Sequence, residues 1–116
     1  MIMNIQVSVM AFFYDPKEKG WQYDYRDVFM ENNVKSVKEA FWKVADEELY
    51  IDNKDIEKIW RNRNKIDNQI FSNYPKEGTF VGFTGYTTID GDNGEKIRVK
   101  YHFTFSQIDE KPVKIE

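Results

Sequence analysis

The chain has 116 residues, with 17 basic and 20 acidic side chains, one histidine and no cysteine, so its formal net charge is −3. A hydrophobic fraction of 41% and an aromatic fraction of 16% exclude intrinsic disorder. The lack of cysteine excludes disulfides, thiolate catalysis and cysteine-ligated zinc. A single histidine disfavours multi-histidine metal sites and histidine-based triads. The composition therefore indicates no catalytic residue, no metal site and no cofactor.

The first part of the chain predicts two antiparallel strands. Apolar side chains occupy the odd positions of residues 3–13, which is the period of a strand with one buried face. The segment 15–20 contains proline and glycine in a polar turn, after which Trp21, Tyr23 and Tyr25 alternate with polar residues. Because no basic segment precedes this alternation and no cleavage site follows it, we interpret it as strand and expect a cytoplasmic protein without a membrane span.

Two amphipathic helices are predicted next. Ser36 and Glu39 have the spacing of a capping box, so a first helix begins there and ends around Tyr50. Asp52 is a suitable cap for a second helix that continues to about Phe71. Both helices carry their apolar side chains on one face, which predicts that they pack against a sheet.

The last part of the chain predicts a β-hairpin. Residues 79–90 and 95–106 flank a Gly-Asp-Asn-Gly turn, a strong hairpin signal. A two-residue or a four-residue turn pairs even positions of one strand with odd positions of the other. That pairing predicts a buried face of Phe80, Tyr86, Thr88, Ile97, Val99, Tyr101, Phe103 and Phe105, and an outer face of Phe83, Thr87, Arg98, Lys100, His102 and Thr104.

These elements predict one α+β domain over residues 1–108, in the order β-β-α-α-β-β. We expect an antiparallel four-stranded sheet with the two helices packed on one face. Residues 109–116 are predicted to form a polar C-terminal tail. The pattern leaves the order of the strands in the sheet open.

A basic stripe on the second helix is the first candidate contact surface. Lys54, Lys58, Arg61 and Lys65 fall within about 60° of one another on a helical wheel. Like charges four residues apart repel, so such a stripe suits contact with phosphates or with an acidic protein surface. An ordinary solvated face explains the stripe as well, and we weigh that interpretation above binding. Trp60 on the same helix is a further candidate contact, although a core position would also explain it.

The outer face of the last strand is the second candidate. Arg98, Lys100 and His102 alternate along it, and Phe83 is predicted to lie beside them. Cationic and aromatic side chains on a sheet surface can stack on and neutralise single-stranded nucleic acid. The same alternation is also common on solvent-facing strands that avoid aggregation.

The composition also bears on function. Isoleucine, lysine and asparagine are abundant and leucine occurs once, which is typical of an AT-rich genome such as that of a low-GC bacterium or its phages. The 3 Trp, 7 Tyr and 9 Phe exceed what a small core needs, and aromatic side chains are enriched at protein interfaces. We therefore expect a small non-enzymatic interaction protein, such as an anti-defence-like phage or mobile-element accessory or inhibitory factor that binds a host protein or nucleoprotein.

Two other functions remain as alternatives. One is a nucleic-acid-binding module that uses the basic helix stripe and the cationic strand face. The other is a small-molecule or nucleotide-binding domain with a pocket between sheet and helices lined by tyrosine and tryptophan. A homodimer is a further open alternative, because an exposed strand edge or the aromatic surplus could form its interface.

Overall fold

The computed structural model describes residues 2–67 and 71–108, and their side chains except those at positions 64–67. The elements are β1 (Met3–Asp15), β2 (Gly20–Val34), α1 (Val37–Lys43) continued by a π-helical segment (Val44–Glu48), α2 (Asn53–Asp67), β3 (Phe80–Asp90) and β4 (Lys96–Ile108). This sequence of elements confirms the predicted α+β class. The predicted tail at 109–116 lies outside the described residues.

The four strands form one antiparallel sheet in the order β2-β1-β4-β3. Two hairpins, β1–β2 and β3–β4, join through β1 and β4, so the first and last strands are the central ones. Both central strands alternate buried apolar side chains with partly exposed ones. The two helices cover the apolar face, and within residues 2–67 and 71–108 no further helix or strand lies on the other face.

The core between the sheet and the helices is built from aromatic rings that pack around Phe41. The Phe41 ring lies 5.1 Å from Phe103, 5.3 Å from Phe83 and 5.6 Å from Trp60, measured between centroids. Pairs of aromatic rings at such separations add about 0.5–1.5 kcal/mol beyond their buried area. Trp60 is 7% exposed, so it is a core residue and its candidate role as a partner contact is wrong.

The predicted capping box at the start of α1 is confirmed, except that the Glu39 carboxylate bonds the amide before the cap residue and not the amide of the cap residue itself. The Ser36 hydroxyl accepts a hydrogen bond from the Glu39 amide at 3.2 Å. The Glu39 carboxylate accepts one from the Lys35 amide at 2.7 Å, one residue before the cap. These bonds satisfy amides that the first turn leaves without an intrahelical partner. The helix widens to a π-helical turn that ends at Glu48, close to the predicted end around Tyr50, and Tyr50 has φ +55°.

The turn between β3 and β4 has three residues, which makes the predicted pairing wrong. The Gly91 amide donates to the Glu95 carbonyl at 2.8 Å, and the Gly94 amide donates to the Gly91 carbonyl at 3.2 Å. Gly94 has φ +78°, the left-handed conformation that adds a third residue to a tight turn. An odd turn pairs even positions with even ones, and Asp90 accordingly pairs with Lys96.

This register exchanges the two faces of β3 relative to the prediction. Phe83 is 3% exposed and lies opposite Phe103 in the core, so it cannot contact a partner. Phe80 is 73% exposed and Tyr86 is 42% exposed, although both were predicted to be buried. The faces of β4 do not change, because its buried side chains were assigned from its own alternation.

Candidate binding surface on the uncovered sheet face

The side of the sheet opposite the helices is called the open face here. It is formed by the even-numbered side chains of β1, β3 and β4 and by their partners on β2, and the register arranges them in rows across the sheet. Four such rows are Met30–Gln6–Ser106–Phe80, Val28–Ser8–Thr104–Gly82, Arg26–Met10–His102–Thr84 and Tyr23–Phe12–Lys100–Tyr86. Strands are about 4.8 Å apart, so each row spans about 14 Å from β2 to β3.

One end of the open face is covered with aromatic rings, which together are called the aromatic patch. Its members are Phe12, Tyr14, Trp21, Tyr23 and Tyr86. The ring centroids of Tyr14 and Trp21 lie 5.5 Å apart, and those of Trp21 and Tyr86 lie 5.8 Å apart. Phe12 meets Tyr23 edge-on at 6.0 Å. The uncovered face of an antiparallel sheet is usually polar, so this concentration of rings needs an explanation beyond folding.

A β-bulge in β2 places two of these rings on the open face. Ala11 pairs with Tyr25 and Phe12 pairs with Tyr23, which leaves Asp24 as an extra residue. Tyr23 and Tyr25 therefore point to opposite faces, although strict alternation predicted one shared face. Burial raises the pKa of Tyr25, and the nearby carboxylates of Asp24 and Asp27 raise it further. Asp27 pairs with Val9, a core position, so its side chain lies on the helix side of the sheet.

Two cations of β4 rest on the aromatic patch. The Arg98 guanidinium carbon lies 5.0 Å from the Tyr14 centroid and 5.3 Å from that of Trp21. The Lys100 ammonium lies 4.9 Å from the Phe12 centroid and 4.8 Å from that of Trp21. Such cation–π contacts contribute about 0.5–1 kcal/mol at exposed sites. They hold the two charges at defined positions above the sheet.

The open face is positively charged on an acidic chain. Within the paired strands it carries Arg26, Lys96, Arg98 and Lys100, and its acidic side chain is Asp90, which forms an ion pair with Lys96. Four positive charges and one negative charge give +3 on this face. The whole chain carries −3, which leaves −6 for the rest of the molecule. The helical part of the chain, residues 35–67, carries eight basic and eight acidic side chains, so the negative excess lies in β2, in the turns and in the terminal residues.

The middle and far end of the open face are polar. His102 lies on this face as predicted, where its Nδ1 is 2.7 Å from the Thr84 hydroxyl and its ring meets Phe12 edge-on at 5.2 Å. A shallow groove of about 370 Å³ follows the rows beyond it, lined by Gln6, Ser8, Thr104 and Ser106 among others. Arg26 and the exposed Phe80 flank this groove from the two edge strands.

The basic stripe of α2 meets the open face at one residue. Lys54, Lys58 and Arg61 are exposed on α2, while the Lys65 side chain falls outside the described part of the chain. Lys58 and Arg98 line one cleft of about 310 Å³, together with Trp21 and Tyr86. The structure thus brings Lys58 and Arg98 together at the edge of the aromatic patch.

The centre of the space between the sheet and the helices is filled by the packed core rings. The cleft lined by Trp21 and Tyr86 lies at its edge, between α2 and the strands, and the alternative of a small-molecule pocket there stays a prediction. Within the described residues, no group of three or more histidine, cysteine, aspartate or glutamate side chains is arranged to hold a metal ion. Over the same part of the chain, none of the helices combines the length and the apolar character needed to cross a membrane.

None of the five residues of the aromatic patch was among the sequence-based candidates for a contact surface. One signal for them was present in β1, whose even positions change from polar at Gln6 and Ser8 to aromatic at Phe12 and Tyr14. Comparison of the chain with protein-family models, with curated proteins and with solved structures finds no match. The function is therefore inferred from the geometry of the open face.

Proposed function

We propose that the protein binds an anionic macromolecule on its open face. The observation that carries this proposal is the charge of +3 on a ring-covered face of a chain whose total charge is −3. It develops the sequence-based expectation of an interaction protein and gives the contact surface a definite location.

The aromatic side chains support a role in contact. Exposed apolar patches on soluble proteins commonly mark interaction sites, and Tyr, Trp and Arg are the residues that dominate binding energy at interfaces. Tyr23 is 59% exposed and Tyr86 is 42% exposed, so their rings are accessible from solvent. Lys100 lies between them in the same row of the sheet, and its ammonium rests on the neighbouring rings of Phe12 and Trp21.

The charge distribution indicates the sign of the partner. At physiological ionic strength the Debye length is about 8 Å, so a partner that approaches the open face senses chiefly the charges on that face. The acidic side chains of the π-helical segment, Asp46, Glu47 and Glu48, belong to the helix layer on the other side of the sheet. An acidic partner is therefore attracted locally, although the net charge of the chain is negative.

The biological setting that the composition favours is compatible with this surface. A host nucleoprotein, or an acidic host protein that normally binds nucleic acid, would present the required negative charge to a phage or mobile-element factor. The inhibitory role remains part of the proposal.

Retention on immobilised heparin tests the proposal, because heparin is a generic polyanion. At pH 7 and low salt we expect the wild-type protein to be retained and to elute with salt, despite its sequence pI of about 5.3. The double variant Arg98→Gln/Lys100→Gln should elute at clearly lower salt.

A matched control separates the open face from the helix stripe. Lys54→Gln/Arg61→Gln removes the same charge from exposed positions of α2 and should elute like the wild type. Wild-type protein in the flow-through would contradict the proposal. A loss of retention confined to the α2 variant would also contradict it and would assign the binding to the basic stripe. Circular dichroism of each variant checks that the fold is retained.

A further inference from the structure

We infer that the anionic partner is single-stranded nucleic acid, whose bases stack on the exposed rings of the open face and whose phosphates contact Arg26, Arg98 and Lys100. This inference rests on the proposed function and specifies its partner. Its distinguishing observation is that rings and cations occur in the same rows of the sheet.

The row Tyr23–Phe12–Lys100–Tyr86 shows this arrangement most directly. Tyr23 and Tyr86 lie on opposite edge strands, whose backbones are about 14 Å apart, and Lys100 lies between them in the row. A base stacked on one ring therefore has a cation beside it for its phosphate. Stacking on aromatic side chains tolerates any base sequence, because every base has a π-face.

The exposed rings continue along the sheet, so the surface can hold several nucleotides. Phe80 lies on β3 six residues from Tyr86, which is about 20 Å at 3.3 Å per residue. Arg26 and the polar groove lie between the row of Phe80 and the aromatic patch. Hydroxyl and amide groups of Ser8, Thr104 and Gln6 line that groove and can accept or donate hydrogen bonds to sugars and base edges.

The rings favour single strands over duplexes. In a duplex the base faces are covered by their neighbours in the stack, so only the phosphates would reach this surface and the aromatic patch would contribute little. Unstacked bases of a single strand can lie flat on exposed rings. An acidic protein surface would meet the cations but offers fewer planar groups to the rings, so we favour nucleic acid.

Fluorescence anisotropy provides the test. The probes are a fluorescein-labelled dT12, the matching rU12 and a 12-base-pair DNA duplex, titrated between 50 and 200 mM salt. Each phosphate contact adds about 0.7 to the slope of log K against log salt for single strands. Three cations predict a slope of about −2, or about a 20-fold loss of affinity over this range. Lys100→Gln should reduce that loss to about sevenfold.

Tyrosine variants separate stacking from charge. Tyr23→Ala should weaken binding of the preferred strand at least about fivefold, and Tyr23→Phe should retain it because the ring remains. Tyr74→Ala is the matched control, since Tyr74 is 60% exposed against 59% for Tyr23 but lies outside the sheet. Comparison of the affinities for dT12 and rU12 shows whether the surface prefers deoxyribose or ribose.

Three outcomes would overturn the inference. The first is equal affinity for the duplex and the single strands, and the second is equal binding by Tyr23→Ala and Tyr74→Ala. The third is no binding of either strand at 50 mM salt by a protein that heparin still retains through Arg98 and Lys100. In that case the proposed function would stand and the partner would be an acidic protein surface. Loss of both heparin and oligonucleotide binding would refute both proposals.

Discussion

The three-residue turn between β3 and β4 makes a sharp prediction about two phenylalanines of β3. Phe83 is 3% exposed, and its ring lies 5.3–5.9 Å from those of Phe41, Trp60, Phe71 and Phe103. Truncating such a side chain to alanine removes buried apolar surface and leaves a cavity, which typically costs about 3–5 kcal/mol. Phe80 is 73% exposed, so the same truncation there should cost less than about 0.5 kcal/mol.

Urea denaturation followed by circular dichroism measures both effects. For a domain of this size a slope of about 2 kcal/mol/M is typical, so Phe83→Ala should lower the midpoint by about 1.5–2.5 M. A domain with only about 5 kcal/mol of stability would barely fold with this change. The milder Phe83→Leu, expected to cost about 1–1.5 kcal/mol, keeps the comparison measurable.

The comparison also decides between the two possible registers of the hairpin. A two-residue or four-residue turn would bury Phe80 and expose Phe83, so it predicts the opposite ranking of the two variants. Equal costs, or a larger cost for Phe80→Ala, would refute both the three-residue turn and the assignment of faces derived from it.

Three further predictions concern stability. Gly85→Ala would place a methyl group 2.5 Å from Cγ2 of Ile59 and should lower the free energy of unfolding by about 1–3 kcal/mol. This loss should be smaller in an Ile59→Ala background, and an equal loss in both backgrounds would contradict the contact. Burial raises the pKa of Tyr101 to about 12 in the folded protein, while a tyrosine in the unfolded chain titrates near 10. The unfolded chain therefore loses this proton first, and the free energy of unfolding falls as pH rises above 10. Between pH 9 and 11 the free energy of unfolding of the wild type should fall by about 1 kcal/mol more than that of Tyr101→Phe, and parallel changes in the two proteins would contradict this. Ser36→Ala should cost about 1 kcal/mol in thermal or urea unfolding through loss of the α1 cap, whereas Ser36→Thr should retain most of the stability.

The element order could be predicted from the sequence because each element has a local signal. The alternation in residues 3–13, the Ser36–Glu39 spacing and the glycine-containing turn each identify an element from a few neighbouring residues. The strand order β2-β1-β4-β3 could not be predicted, since it depends on which hairpin edges pair over long separations. The pairing of β1 with β4 joins strands that are far apart in the sequence, and no local pattern of residues indicates it.

The open face was predicted only in part, and the errors have two local causes. The left-handed Gly94 adds one residue to the turn and reverses the faces of Phe80, Phe83 and Tyr86. The bulge at Asp24 separates Tyr23 from Tyr25. Since side chains alternate with a period of two, one extra residue at either place reverses the faces assigned on one side of it relative to those on the other side. By contrast, Arg98, Lys100 and His102 were placed correctly, because the alternation of β4 is uninterrupted.

The open face carries a net charge of +3 on a chain that totals −3, so the sign of its charge differs from that of the molecule as a whole. If the partner is the proposed polyanion, its field favours encounters in which Arg98 and Lys100 make the first contact. Association should consequently be fast at low ionic strength and slow steeply as salt is added, even though the two partners carry net charges of the same sign. Under the proposed function, the rate of association would depend on the charge of one face and not on the net charge of the chain.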